Sequence, residues 1–179
     1  VPTYTADFDK HFCIAGKKWD IRKLLLKSIA INESSLNPQA YRMEPLFWER
    51  YLVNNPEWKD KDPKIVSASW GLTQIMFTTA WAFGLTGEIE KVRDDLLDPM
   101  INIMLCAKIM RKLIDKSIEK RYTDRYYWLS NAQVALAQWN GGGKGNPSED
   151  GTLRNQKYVR KILKTWGELR RFEAECEPE

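Results

Sequence analysis

From Asp98-Pro99 onward, Met100 and Met104 stand four positions apart, and Ile101, Leu105, Ile109 and Leu113 continue in steps of four. The neighbours Met100-Ile101 and Met104-Leu105 would fall on opposite faces of a strand, but on a helix they share one broad apolar side. Asp is a favoured N-cap and Pro is tolerated at the first helical position, so the start of this helix is marked as well. So wide a face must be covered, and the rest of the chain offers covers of the same kind. After Asp20, a candidate N-cap, Ile21, Leu24, Leu25 and Ile29 share one face while Arg22, Lys23 and Lys27 point elsewhere, and the helix is expected to end near Ser34. Ser130 is predicted to cap a short helix through Val134, Ala135, Leu136 and Ala137, stopped by Gly141-Gly142-Gly143, where glycine is too costly for a helix to continue. A last helix follows Asn155 and carries Tyr158, Val159, Ile162, Leu163 and Trp166. No strand-like alternation exceeds a few residues. The expected fold class is mainly α.

With 179 residues the chain is expected to form one domain, 1–179. Within it, residues of about 42–66 read as an inserted helix and surface loop, because Pro45 to Leu52 is amphipathic while Asn54 to Lys64 is charged and proline-containing. The acidic end, Glu173 to Glu179, is expected to fray. An apolar fraction of 43% with 29% charged residues excludes a chain disordered by composition. No apolar run is long enough to span a bilayer, and residues 1–20 lack the basic start and apolar stretch of a leader. The 28 Lys and Arg against 24 Asp and Glu give +4, with both signs interspersed along the chain. That balance suits weak attraction to anionic polymers and argues against a dedicated nucleic-acid binder.

Cys13, Cys106 and Cys176 are far apart and His11 is the one histidine, so no zinc pattern of closely spaced ligands can be assembled. No cofactor is expected. A Cys13 thiol working with His11 is disfavoured, since an isolated pair near a terminus is far more often structural than nucleophilic. Cys13 with Cys106 is one candidate disulfide, and nothing in the sequence decides the pairing.

Three stretches carry the chemistry. In Ala30-Ile31-Asn32-Glu33-Ser34-Ser35-Leu36-Asn37-Pro38, Glu33 sits at the end of an apolar-faced helix, where a solvated helix ordinarily favours a basic residue. The negative end of the helix dipole and burial against Ile29 or Ala30 both disfavour the ionised carboxylate, as suits a general acid. The bland reading is a surface glutamate whose position means nothing. In Ser67-Ala68-Ser69-Trp70-Gly71-Leu72-Thr73-Gln74-Ile75-Met76, Gly71 permits a tight turn and Gln74 brings donors and acceptors into an apolar setting; alone, an ordinary helix start with Gln74 in solvent would explain it better. The third, Ala135 to Gly143, contains Trp139-Asn140 ahead of the glycines, and its Lys144 context does not fit a phosphate-binding loop.

Taken in order, Glu33 to Pro38, Gly71 to Met76 with Thr79-Ala80, Leu97-Asp98-Pro99 with Asn102-Ile103, Ala135 to Gly142, and Tyr158-Val159 resemble the soluble-type lytic transglycosylases, relatives of goose-type lysozyme. The resemblance spans roughly residues 20 to 165. It implies a lysozyme-like α fold, with Glu33 in the position of the catalytic glutamate and Gln74, Asn140, Trp139, Tyr158 and either Ser67 or Ser69 as substrate contacts. Trp70 and Trp81 are further candidates for packing against sugar, although most of the eight tryptophans are expected in the core. Two departures stand out: Thr73 where the family commonly has Met, and Trp139-Asn140-Gly141-Gly142 where it has Tyr-Asn-Ala-Gly. Trp139 keeps a flat surface but brings no hydroxyl to a carboxylate.

The resemblance implies cleavage of the β-1,4 bond between N-acetylmuramic acid and N-acetylglucosamine, with a 1,6-anhydro product. Peptidoglycan strands would be the partner of a monomer in the periplasm or cell envelope, or on a phage particle, since the insertion looks similar to those of phage-encoded wall-cleaving domains. A hydrolytic goose-type muramidase would need a placed water and a second carboxylate, for which Glu44, Glu49, Asp60 and Asp62 are available. A noncatalytic glycan-binding module is disfavoured by the intact Glu33 motif.

Overall fold

The computed structural model describes residues 5–174 and residue 176. Its helices are α1 (Asp9–Trp19), α2 (Lys23–Ser34), α3 (Pro45–Phe47), α4 (Pro63–Val66), α5 (Phe77–Ala82), α6 (Ile89–Leu97), α7 (Pro99–Glu119), α8 (Tyr122–Arg125), α9 (Asn131–Gly141) and α10 (Gln156–Leu169). Three short strands, β1 (Tyr41–Met43), β2 (Ala68–Trp70) and β3 (Ile75–Met76), form one antiparallel sheet in that order. The protein is therefore mainly α, as the apolar spacing requires. Strands of two or three residues are too short to leave an alternating pattern, which is why the sequence conceals the sheet. Among the described residues, no helix is long and apolar enough to cross a membrane.

Two of the three expected N-caps act where the sequence puts them. Asp98 Oδ1 accepts from Ile101 N at 2.9 Å at the start of α7. Ser130 and Gln133 form a reciprocal capping box on α9. Asp20 behaves differently from the N-cap expected: its φ is +52° and α2 begins three residues later, at Lys23, so it is a left-handed turn residue between α1 and α2. The segment expected as inserted helix and loop holds β1, α3, a π-helical turn at Trp48–Leu52, and α4, which Asp62 caps through Lys64 N.

The chain divides into two compact units. The first comprises Val1–His11 and Ile29–Cys106, the second Phe12–Ser28 and Ala107–Glu179. In the first, Ile29, Leu72, Ile75, Phe77, Leu96 and Ile103 are fully buried, and Trp58, Phe77 and Trp81 pack with ring centroids 5.4–6.1 Å apart. Trp70, a candidate sugar platform by sequence, is only 7% exposed, and its Nε1 donates to the Ile65 carbonyl; it is a core residue. In the second, Phe12, Leu24, Leu26, Met110, Leu136 and Ile162 form the centre.

Two lysines reverse the expectation from their spacing. Lys23 and Lys27 are buried rather than turned outward, Lys27 to 1% exposure. Its ammonium meets both carboxylate oxygens of Glu173, at 2.9 and 2.7 Å, which offsets the loss of water around the charge. Three residues on, Cys176 is bonded to Cys13 of α1, while Cys106 is free and buried. The Cys13–Cys106 pairing is thus replaced by Cys13–Cys176, and a disulfide-bonded Cys13 is no nucleophile. Of the end expected to fray, residues 175 and 177–179 lie outside the described residues.

The disulfide joins residues 163 positions apart. Loop-entropy arithmetic at that length gives about 5 kcal/mol, of which disulfides typically realise about 2–4 kcal/mol. Reduction, or Cys13→Ser, is expected to lower the melting temperature by about 4–16 °C. A melting curve unchanged by reductant would show that the bridge constrains nothing.

Candidate active site

Glu33 is the penultimate residue of α2 and is half-buried. The helix stops just beyond it because Ser35 and Leu36 take φ of +55° and +63°, a region that costs a non-glycine residue about 1–2 kcal/mol. Ser35 N donates to Ile31 O at 3.0 Å, Leu36 N to Ala30 O at 3.4 Å, and burial of the Leu36 side chain offsets part of that strain. Between them, Ser34 Oγ donates to the Leu72 carbonyl at 2.7 Å. The residue after Glu33 is thereby fastened to the turn that joins β2 to β3.

That turn is held from below by one amide. Asn102 of α7 is fully buried; its Oδ1 accepts from Thr73 N at 2.9 Å and Thr73 Oγ1 at 2.7 Å, and its Nδ2 donates to the Trp70 and Leu96 carbonyls at 3.0 and 2.8 Å. Both donors and both lone pairs are used. Gly71, at φ +73°, lies so close that a Cβ there would collide with the Leu96 carbonyl and the Asn102 amide nitrogen. Thr73 therefore has a structural role that the methionine common at this position in the resembled family could not fill, since methionine has no hydroxyl to bond Asn102.

Cys106 lies one turn beyond Asn102 on α7. Burial pushes its thiol far above the ordinary range, the Thr73 side-chain hydrogen bond works the other way, and the Glu33 charge adds to the rise. The thiol stays protonated.

Gln74 is left-handed at φ +50° and half-buried, and its Nε2 donates to the carbonyls of Ala40 and Gly71, both at 3.1 Å. Those bonds leave its carbonyl oxygen, not its amide hydrogens, for a ligand. The helix start with Gln74 in solvent is not what forms. Ser67 is fully buried with Oγ donating to Pro63 O at 2.6 Å, and Ser69 is 2% exposed with Oγ 3.1 Å from Met76 Sδ. Both hydroxyls face inward. Of the carboxylates available to a hydrolase, Glu44 is paired with Arg42 at 2.6 Å and Asp62 caps α4; Glu49 and Asp60 are exposed.

The remaining candidates belong to the second unit. Trp139 is half-buried and Asn140 exposed at the end of α9, and Tyr158 is half-buried in the first turn of α10. Asn155 joins the two helices: its Nδ2 donates to Ala137 O at 2.7 Å and to Asn140 Oδ1 at 3.1 Å. The glycines after α9 allow a sharp return, because a Cβ on Gly145 would strike the Ala137 carbonyl. Asn155 Oδ1 is buried and has no donor among the described residues.

Sequence reasoning missed what two asparagines do. Asn102 left a signal, a lone amide inside the apolar run Met100 to Leu105, of the kind buried only when fully bonded. Asn155 left none, since it stands where any helix-starting residue would.

A family model described as Transglycosylase SLT domain matches residues 11–157. Comparison with curated proteins and with solved structures returns no match.

Proposed function

The chain belongs to the transglycosylase SLT domain family, enzymes that cleave glycosidic bonds in peptidoglycan, and we propose that Glu33 is its single catalytic acid and base. Protonated Glu33 donates to the oxygen linking N-acetylmuramic acid to N-acetylglucosamine as the C1–O4 bond breaks. The substrate's own N-acetyl oxygen steadies the oxocarbenium-like C1, an exception to the two-carboxylate scheme. Glu33, now ionised, takes the proton of the muramyl C6 hydroxyl while O6 bonds to C1. One C–O bond breaks, one forms, and the proton returns to Glu33, so the two products together weigh what the substrate weighed.

The observation that carries this reading is the fastening of Glu33 to the Gly71–Gln74 turn through Ser34 and Leu72. A general acid must be held to within about 1 Å, and a helix end bonded to an amide-anchored turn supplies that rigidity. Gln74 accepts from a sugar amide or hydroxyl through its free carbonyl oxygen. Trp139 offers its indole to a pyranose face, and Asn140 and Tyr158 offer hydrogen bonds. Ser67 and Ser69, the alternative serine contacts, both turn their hydroxyls inward, so the proposed substrate contacts rest on Gln74, Trp139, Asn140 and Tyr158. We read residues 1–179 as one monomeric catalytic domain with an insertion at about 42–66. It acts outside the cytoplasm or on a phage particle, a setting with which the Cys13–Cys176 disulfide agrees.

Product analysis tests the reading. Mass spectrometry of digested peptidoglycan is expected to find chain ends one water lighter than reducing ends. Predominantly reducing ends would replace transglycosylation by hydrolysis.

A further inference from the structure

The modest overall charge conceals a division that the sequence order hides, because each unit draws on two separate stretches. The second unit holds 20 of the 28 Lys and Arg but 11 of the 24 Asp and Glu, whereas the first is net acidic. The signs are interspersed along the chain, yet the two units differ in net sign.

Part of the excess lies on α10. Its buried side is Val159, Ile162, Thr165 and Leu169. At 3.6 residues per turn, Lys157, Arg160, Lys161 and Lys164 fall together on the other side, and all four are exposed. Among the described residues no carboxylate pairs with Lys157, Arg160 or Lys161, and Lys164 reaches Glu168 only at 3.9 Å. An ordinary solvated face looks like α6 or α7, where Lys91 meets Asp95 at 2.6 Å and Arg111 meets Asp115 at 2.7 Å, each four residues on. Here the spacing-four pairs Lys157/Lys161 and Arg160/Lys164 are alike in sign and oppose the helix by a few tenths of a kcal/mol each. Lys157 also sits in the first turn, where the dipole disfavours a cation. The stripe weakens the helix that bears it.

Its near end adjoins Tyr158 and Asn155, and Asn155 is bonded to Asn140. From there it runs about 10 Å along the axis. Resting on the function proposed above, we infer that this stripe binds the carboxylate-bearing stem peptides of peptidoglycan, so that strands carrying stems are preferred to bare glycan. Muramic acid residues of a strand lying at Trp139 and Asn140 carry their stems within reach of the stripe, and unpaired cations complement the stem carboxylates. Insertion into a membrane surface is disfavoured because the apolar side of α10 is already buried in the unit.

The test compares intact strands with the same strands stripped of stems by an amidase, at about 50 mM and about 300 mM salt. Wild type is expected to show a KM about tenfold lower on stem-bearing strands at low salt, with the advantage gone at high salt. The triple variant Lys157→Gln, Arg160→Gln, Lys161→Gln is expected to bring the ratio of the two KM values close to one. Equal KM values in wild type, or a ratio unaltered in the triple variant, would overturn the inference. A second arm measures sedimentation of Glu33→Gln, with and without the triple substitution, on stem-bearing sacculi and on anionic phospholipid vesicles. Loss of sacculus binding supports the stem assignment, and loss of vesicle binding alone refutes it. If wild type cleaves neither substrate, the proposed activity fails while this binding arm still decides the stripe.

Discussion

Glu33→Gln is expected to release muropeptides at least about 10³-fold more slowly than wild type while still sedimenting with peptidoglycan. The amide preserves size and hydrogen bonding, so α2 and its Ser34–Leu72 bond should survive, but it can neither give up nor take back the proton that the two half-reactions need. Glu33→Asp is expected to lose about 10²-fold, because the shorter side chain withdraws the carboxyl by about 1 Å from a glycosidic oxygen it must touch. Turbidity loss of a peptidoglycan suspension and chromatography of released fragments give the rates. Cleavage by Glu33→Gln at the wild-type rate would remove Glu33 from the mechanism and reopen a noncatalytic role for the fold.

The second large effect concerns stability. Asn102→Ala strands the Thr73 N–H, the Thr73 hydroxyl and the carbonyls of Trp70 and Leu96 in a dry interior. Buried groups left unbonded cost about 1–3 kcal/mol each, and partial relaxation brings the expected total to about 3–5 kcal/mol. Thermal melting should fall by about 10 °C or more. Asn102→Asp should be no better, since it keeps the acceptor for Thr73 but turns a second oxygen toward two carbonyls. Either variant melting with wild type would mean that the turn beside Glu33 is held by something else.

Much of this architecture could be read in advance. The end of α2 near Ser34, the start of α7 at Asp98-Pro99 and both limits of α9 at Ser130 and the glycines lie where the sequence predicts them, because such signals act over a few residues and need no distant partner. Glu33 was conspicuous for the same reason, as a carboxylate at the wrong end of a helix. The roles of its neighbours were less legible. Ser67 and Ser69 carry hydroxyls in the right stretch, yet both turn inward, Ser67 onto the Pro63 carbonyl at the end of α4 and Ser69 through pairing in a sheet too short to declare itself.

What the chain's order determined by itself is the helical class, the end of α2, the starts of α7 and α10, both limits of α9 and the family to which Glu33 and the Gly71–Gln74 turn belong, since each depends on residues within a turn or two of one another. Tertiary structure alone decided that Lys27 is buried against Glu173, 146 residues away, that Cys13 bonds Cys176 rather than Cys106, and that cations gather in one unit. Periodicity records which side of a helix is apolar. It carries no information about which distant charge or thiol will meet that side, because the free energy of burying them depends on the partner that folding delivers.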